Sequence, residues 1–109
     1  MLNRAAFVVR PAEPYIAWAK SLDDSGLTPN SDGEQTVYLV PEFGDASEAM
    51  EVLESVHAEI FARALEEWHT VEADWPKNRT FTMFKEWFRI EMHSVVEDLC
   101  LDPLKDDEQ

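Results

Sequence analysis

The apolar positions of this chain follow two kinds of pattern, and the first kind predicts strands. Residues 5–11 (AAFVVRP) and 36–43 (TVYLVPEF) are apolar at successive positions, and a proline closes each apolar run. Runs of β-branched and aromatic residues of this length are typical of short strands that are buried on both faces. We therefore predict β-strands over residues 5–11 and 36–43.

The second pattern repeats every three to four residues and predicts helices. Four apolar residues after Pro14 have this spacing and indicate a helix of about three turns: Tyr15, Trp18, Ala19 and Leu22. A longer helix is predicted over residues 46–68, with Asp45 or Ser47 as its N-cap. Its apolar half consists of Ala49, Met50, Leu53, Val56, Ile60, Phe61, Ala64 and Trp68. Its outer half is acidic and carries Glu51, Glu54, Glu59 and Glu66.

A third helix is predicted from Thr80 or Phe81 to about Cys100. We expect the phenylalanines of its main apolar stripe to lie in the core. The stripe consists of Phe81, Phe84, Phe88, Met92, Val95 and Leu99. A second, thinner apolar strip consists of Met83, Trp87 and Ile90. This strip needs a cover, which is either another part of the chain or a partner protein.

These elements predict an α+β fold with the order β-α-β-α-α and a small sheet packed on helices. We expect one compact domain over residues 1–103 and a flexible acidic tail over residues 104–109. The helix between the two strands favours a parallel, right-handed crossover, although the loop over residues 24–35 is long enough to permit antiparallel pairing. Two strands alone make a weak sheet, so either a third strand lies within residues 68–73 or a second subunit completes the sheet.

Composition places the chain among globular proteins with an acidic surface. Hydrophobic residues make up 45% of the chain, which argues against intrinsic disorder despite a net charge of −14. The single cysteine, Cys100, excludes an internal disulfide and a cysteine-rich zinc site. The apolar run over residues 5–9 is too short for a secretory signal, and no segment reaches the roughly 20 apolar residues of a membrane span. We therefore expect a cytoplasmic protein.

The charges are unevenly distributed along the chain. Residues 75–89, called the basic segment below, hold four of the nine Lys and Arg residues. Because an acidic chain repels phosphate backbones and anionic lipid, we expect no direct contact with nucleic acid or membrane. We predict that the basic segment is the contact surface for another protein, most naturally a second copy in a homodimer. The predicted partner-binding residues are Lys77, Arg79, Lys85, Trp87, Met83 and Ile90.

Four polar residues at helical spacing are the best candidates for chemistry, and they are called the His93 ladder below: Glu86, Arg89, His93 and Glu97. A histidine beside a carboxylate can move protons, so His93 and Glu97 are weak candidates for an acid–base pair. The alternative interpretation is a solvated ladder of ion pairs on a helix surface.

Two Glu-x-x-His pairs, Glu54 with His57 and Glu66 with His69, have a spacing that di-metal carboxylate bundles use. Both lie on the predicted long helix, about 18 Å apart along its axis, so they cannot share one metal centre. We predict that His57 is a hydrogen-bonded core histidine and that His69 caps the helix end. We expect no metal and no cofactor.

Three stretches resemble a family of small acidic bacterial proteins: WPKNRTFTMFKEWF, HSVVEDL and, upstream of both, VYLVPEF. The resemblance covers most of the chain. It implies a bacterial cytoplasmic protein with a compact α+β fold, and it implies no catalytic or binding residue.

The residues favour a small acidic protein that acts by protein–protein interaction or self-association. The first alternative is an acidic mimic of nucleic acid, which would block a DNA- or RNA-binding protein with the glutamates of the long helix. The second alternative is an enzyme that uses His93 and Glu97.

Overall fold

A computed structural model of the chain describes residues 3–22 and 35–100. It consists of β1 (Ala5–Pro11), α1 (Glu13–Ser21), β2 (Thr36–Val40), α2 (Ala46–Trp68), a 3-10 turn (Glu72–Asp74), α3 (Phe81–Trp87) and β3 (Phe88–His93). The predicted α+β class and the order β-α-β-α-α are confirmed, and a third strand follows the last helix. The tail predicted over residues 104–109 lies outside the described residues.

The three strands form one antiparallel sheet in the order β2-β1-β3. In its register, Phe7 of β1 lies opposite Tyr38 of β2 on one side and Met92 of β3 on the other. The favoured parallel crossover is therefore wrong, and the antiparallel alternative is correct. The prediction of a third strand within residues 68–73 is also wrong, because the third strand is β3 at residues 88–93. Pairing with a second subunit stays a prediction.

The sheet has two unlike faces, because residues directly opposite each other on antiparallel strands point to the same side. The inner face is covered by helices: Phe88 of β3 packs against Phe61 of α2 at 5.3 Å and against Tyr15 of α1 at 5.4 Å between ring centroids. The side that we call the outer face carries Ala6, Val8, Arg10, Val37, Leu39, Arg89, Glu91 and His93.

Burial differs between the central strand and the edge strand. In β1, Ala5, Ala6, Phe7 and Val9 are buried and Val8 is half-buried, which agrees with the prediction of burial on both faces. In β2, Val37 and Leu39 are 57% and 48% exposed. The prediction that β2 is buried on both faces is thus wrong, because β2 lies at the sheet edge and no described helix covers its outer side.

The long helix α2 agrees with its prediction from end to end. Asp45 is the N-cap, and its Oδ1 accepts a hydrogen bond from the backbone N–H of Glu48 at 2.8 Å. This bond satisfies one of the amide groups that a helix start leaves unpaired. The helix buries Ala49, Leu53, Ile60, Phe61, Ala64 and Leu65. Met50, which was assigned to the apolar half, is exposed instead.

The predicted third helix is only partly correct. It begins with Thr80 as N-cap, and Phe84 and Phe88 are buried as expected, with Phe81 half-buried. The helix ends at Trp87, and Phe88 already has extended backbone angles (φ −136°, ψ 150°). The apolar stripe therefore stops at Phe88, and beyond it Val95 is 59% and Leu99 is 92% exposed.

Both tyrosines of the chain contribute to the packing between α2 and its neighbours. The hydroxyl of Tyr15 donates a hydrogen bond to the backbone oxygen of Ala64 at 2.6 Å. Burial, and secondarily the nearby Glu67, raise the pKa of Tyr15 far above its usual value. The same two causes raise the pKa of Tyr38 to about 12.

An alkaline titration tests this packing. Since the folded pKa of each phenol is raised, the stability that the neutral phenols contribute is complete below pH 10 and is lost as the pH rises towards 12. We expect tyrosinate absorbance to appear only above about pH 11 in the folded protein, together with unfolding seen by circular dichroism. In a Tyr15→Phe control, the remaining signal should titrate near pH 12. A titration midpoint near pH 10 without loss of structure would contradict the packing.

Candidate functional site

The basic segment is ordered by contacts within its own chain. The Arg79 guanidinium lies 5.7 Å from the centroid of the Trp75 ring and donates a hydrogen bond to the backbone oxygen of Pro76 at 2.9 Å. The Lys85 ammonium lies 4.6 Å from the centroid of the Phe81 ring. Cations in such positions are held by the negative faces of the rings. Lys77, Arg79 and Lys85 are nevertheless exposed, so their role in partner binding stays a prediction.

The loop before α3 borders an open depression of about 390 Å³. Its lining consists of Glu72, Ala73, Trp75, Lys77 and Arg79. One carboxylate and two cations thus surround an indole, a composition suited to contacts with a polar surface.

The strip of Met83, Trp87 and Ile90 is packed against the core of the same chain. The Trp87 ring lies 6.2 Å from Trp18 of α1 and 5.6 Å from Phe61 of α2 between centroids. Of the two covers considered for this strip, the structure therefore shows the first, another part of the chain.

The turn over residues 69–75 is fixed to the helices by two indole N–H groups. Trp75 Nε1 donates to the backbone oxygen of His69 at 2.7 Å, and Trp18 Nε1 donates to the backbone oxygen of Asp74 at 3.0 Å. His69 is the C-cap residue of α2, and its Nε2 lies 2.8 Å from Asp74 Oδ2. His69 thus lies at the helix end as predicted, and its ring contacts the carboxylate of Asp74. The predicted interaction of the ring with the helix dipole stays a prediction.

His57 also has a structural environment. Its Nδ1 lies 2.6 Å from the backbone oxygen of Glu54, and its ring packs on Phe81 and Phe84. It is half-buried at the border of the core. Within residues 3–22 and 35–100, no three His, Cys, Asp or Glu side chains are grouped so that they could hold a metal ion. Nor is any helix of that part long and apolar enough to cross a lipid bilayer.

The helical arrangement predicted for the His93 ladder is wrong, whereas the candidate role of its residues stays a prediction. Helical spacing would place its four residues on one face, but the backbone is extended from Phe88 to His93. Glu86 lies on α3, whereas Arg89 and His93 belong to β3 and Glu97 follows that strand. In the extended backbone His93 is next to a different carboxylate, with its Nε2 3.7 Å from Glu91 Oε2.

The outer face of the sheet is the surface that the sequence did not indicate. Its β2 side is apolar, with Val37 and Leu39 exposed beside Val8 of β1. Its β3 side is charged, and there Arg10 and Arg89 lie directly opposite each other. Like charges in this position repel each other. Glu91 offsets part of this repulsion, with its Oε1 3.4 Å from Arg10 Nη2.

One hydrogen-bond donor on the polar half of the outer face has no partner within the described part of the chain. The Nε atom of Arg10 is buried and has no hydrogen-bond partner there. A buried donor without a partner costs about 1–3 kcal/mol. The outer face thus combines exposed apolar side chains, an excess of positive charge and an unsatisfied donor in a protein whose net charge is −14.

Comparison of the chain with protein-family models, with curated proteins and with solved structures gives no match. The resemblance to small acidic bacterial proteins therefore stays a prediction.

Proposed function

We propose that this protein acts by binding another protein molecule, in the first place a second copy of itself, and that the outer face of the sheet is its contact surface. One observation carries the proposal: Val37 and Leu39 are about half exposed on a face that no described helix covers. Apolar surface on a sheet face is normally removed from water by a second layer of structure.

The edge of the strand β2, which adjoins the outer face, also favours contact with another chain. Its sequence, TVYLV, has no charged residue, no proline and no glycine. Edge strands of monomeric proteins usually carry charges or prolines that prevent pairing with other chains. Within the described residues, β2 has β1 on one edge and no strand on the other.

The charge of the outer face favours an acidic partner. Arg10 and Arg89 lie beside the apolar side chains, whereas most of the remaining surface is acidic. Opposite charges across an interface speed association and select the partner. A second copy of this chain, with a net charge of −14, offers such acidic surface.

A double substitution on the apolar half of the outer face tests the proposal. We expect wild-type protein to show a concentration-dependent mass in sedimentation equilibrium and the variant Val37→Lys, Leu39→Lys to stay monomeric at the same concentrations. Because both side chains are exposed, the stability of the monomer should change by only about 0.5 kcal/mol or less per residue.

A matched control and a rival surface complete this experiment. The variant Met50→Lys, Val71→Lys makes the same kind of change at two exposed apolar residues away from the sheet, and its self-association should equal that of wild type. The variant Lys77→Glu, Arg79→Glu tests the basic segment. Loss of association in this variant alone would assign the contact to the basic segment, and a monomeric wild type would end the proposal of self-association.

Mimicry of nucleic acid remains the second candidate function, because Glu51, Glu54, Glu59 and Glu66 are all exposed on α2. Partners of a mimic would be basic nucleic-acid-binding proteins that are lost as the salt concentration rises. Capture of such proteins by wild type and by the outer-face variant alike would favour mimicry.

A further inference from the structure

The outer face has a counterpart in the segment that follows β3. Residues 94–100 (SVVEDLC), called the C-terminal segment below, have no helix or strand. Val95 and Leu99 are among the most exposed apolar residues described, at 59% and 92%. Burial of apolar side chains contributes roughly 25 cal/mol per Å², so a contact that covered both Val95 and Leu99 would be favourable.

We propose that the C-terminal segment of a second copy of this chain occupies the outer face of the sheet, and that the two copies exchange these segments reciprocally. This inference rests on the proposed function, since it names the occupant of the same surface. In such a symmetric dimer each chain supplies one face and one segment, so the contact occurs twice.

The two surfaces are complementary in both of their properties. The outer face presents apolar Val37 and Leu39 beside the cations of Arg10 and Arg89. The C-terminal segment presents apolar Val95 and Leu99 beside the acid Asp98. The sequence beyond residue 100 has the same character, with two leucines, four acids and one lysine. Apolar groups of one copy can therefore meet apolar groups of the other while the arginines meet carboxylates.

The dimensions permit this contact. Seven extended residues span about 23 Å at roughly 3.3 Å per residue, whereas three strands about 4.8 Å apart place their outer axes only about 10 Å from each other.

Within a single chain, apolar residues of the outer face and of the C-terminal segment are exposed at the same time. Leu99 is almost fully exposed, and Val37 and Leu39 remain half exposed in the same structure. A reciprocal contact between two copies would cover these three side chains.

Two charge reversals, one on the outer face and one on the C-terminal segment, distinguish this specific contact from a general effect of net charge on association. Arg89→Glu reverses a cation of the outer face that has no described side-chain partner, and Asp98→Lys reverses an acid of the C-terminal segment. Each variant alone brings like charges together at both contacts, so we expect its dimerisation to weaken roughly tenfold or more. In an equimolar mixture, each face meets a segment of opposite charge, and heterodimers should form with nearly the affinity of wild type. Native mass spectrometry distinguishes the heterodimer from both homodimers.

A second pair of variants controls for the location of the charges. Lys77→Glu and Glu54→Lys make the same reversals on the basic segment and on α2, and their mixture should form no excess of heterodimer. Leu99→Asp provides an apolar test: it should weaken self-association without a change in the unfolding midpoint at concentrations where the wild type is monomeric, because the side chain is exposed.

The outcomes distinguish two claims: that the outer face is the contact surface, and that the C-terminal segment of a second copy occupies it. Restoration by Arg89→Glu with Asp98→Lys supports segment exchange. A different result is that Val37→Lys, Leu39→Lys abolishes dimerisation of the wild type while the charge pair and Leu99→Asp have no effect. In that case the outer face remains the contact surface, but the C-terminal segment is not its occupant. Restoration by the control pair would place the contact between the basic segment and α2. A monomeric wild type would overturn both claims.

Discussion

Replacement of Phe84 by alanine is expected to lower the free energy of unfolding by about 3–5 kcal/mol. The side chain is 0% exposed, and its ring lies 6.0 Å from Phe61 of α2 and 5.2 Å from Phe88 of β3 between centroids. Phe84 thus joins α3 to both the long helix and the sheet. Because domains of this size are stable by about 5–15 kcal/mol, the variant should lose a large share of its stability.

Urea denaturation followed by circular dichroism measures this effect. Phe84→Leu, which retains most of the apolar volume, should lose clearly less, about 1.5 kcal/mol or less. Phe81→Ala is the positional control, since Phe81 is only half-buried and should also cost less. A midpoint for Phe84→Ala equal to that of wild type would mean that α3 does not present Phe84 to the core.

Replacement of Trp75 by alanine is expected to cost a similar amount, about 3–5 kcal/mol. Trp75 is buried although it lies in a loop, and it fixes that loop twice. Its indole N–H donates to the backbone oxygen of His69, and its ring lies under the guanidinium of Arg79. The loss should appear as a lower denaturation midpoint and as faster proteolysis within residues 69–80, because local opening controls cleavage.

The variant Trp75→Phe separates the two contributions. It keeps an aromatic ring in the core but removes the hydrogen bond to His69, which contributes about 1 kcal/mol. We therefore expect most of the stability of wild type to remain. A loss of stability below about 1 kcal/mol for Trp75→Ala would mean that the loop does not depend on this side chain.

The sequence by itself determined those elements whose signals are local. The α2 helix was predicted with its correct ends, because Asp45 caps it directly and its apolar residues repeat every three to four positions. The β1 strand was predicted because its apolar run is continuous and Pro11 closes it. Both signals lie within the element itself, so no knowledge of a distant partner was needed.

Residues 88–93 show where local signals are ambiguous. Phe81, Phe84, Phe88 and Met92 fit one helical stripe, but Phe88, Ile90 and Met92 also alternate with the polar Arg89, Glu91 and His93 as in a strand. The alternation was therefore present in the sequence and supported either structure. Pairing with β1 decides that residues 88–93 are a strand. β1 lies about eighty residues earlier in the chain, and the edge of β1 opposite β2 forms backbone hydrogen bonds with residues 88–93.

The candidate site also depends on how the strands pair and on which side of the sheet the helices pack. The pattern of β2 indicated that Val37 and Leu39 are apolar, but whether they are buried depends on which side of the sheet the helices cover. Arg89 and His93 point to the outer face only because their segment is extended and pairs with β1 in one register. Periodicity along the chain thus determined the early elements and much of the core. The open face was decided by strand pairing and one-sided helix packing, since burial and backbone hydrogen bonds between distant segments are satisfied only when those segments meet.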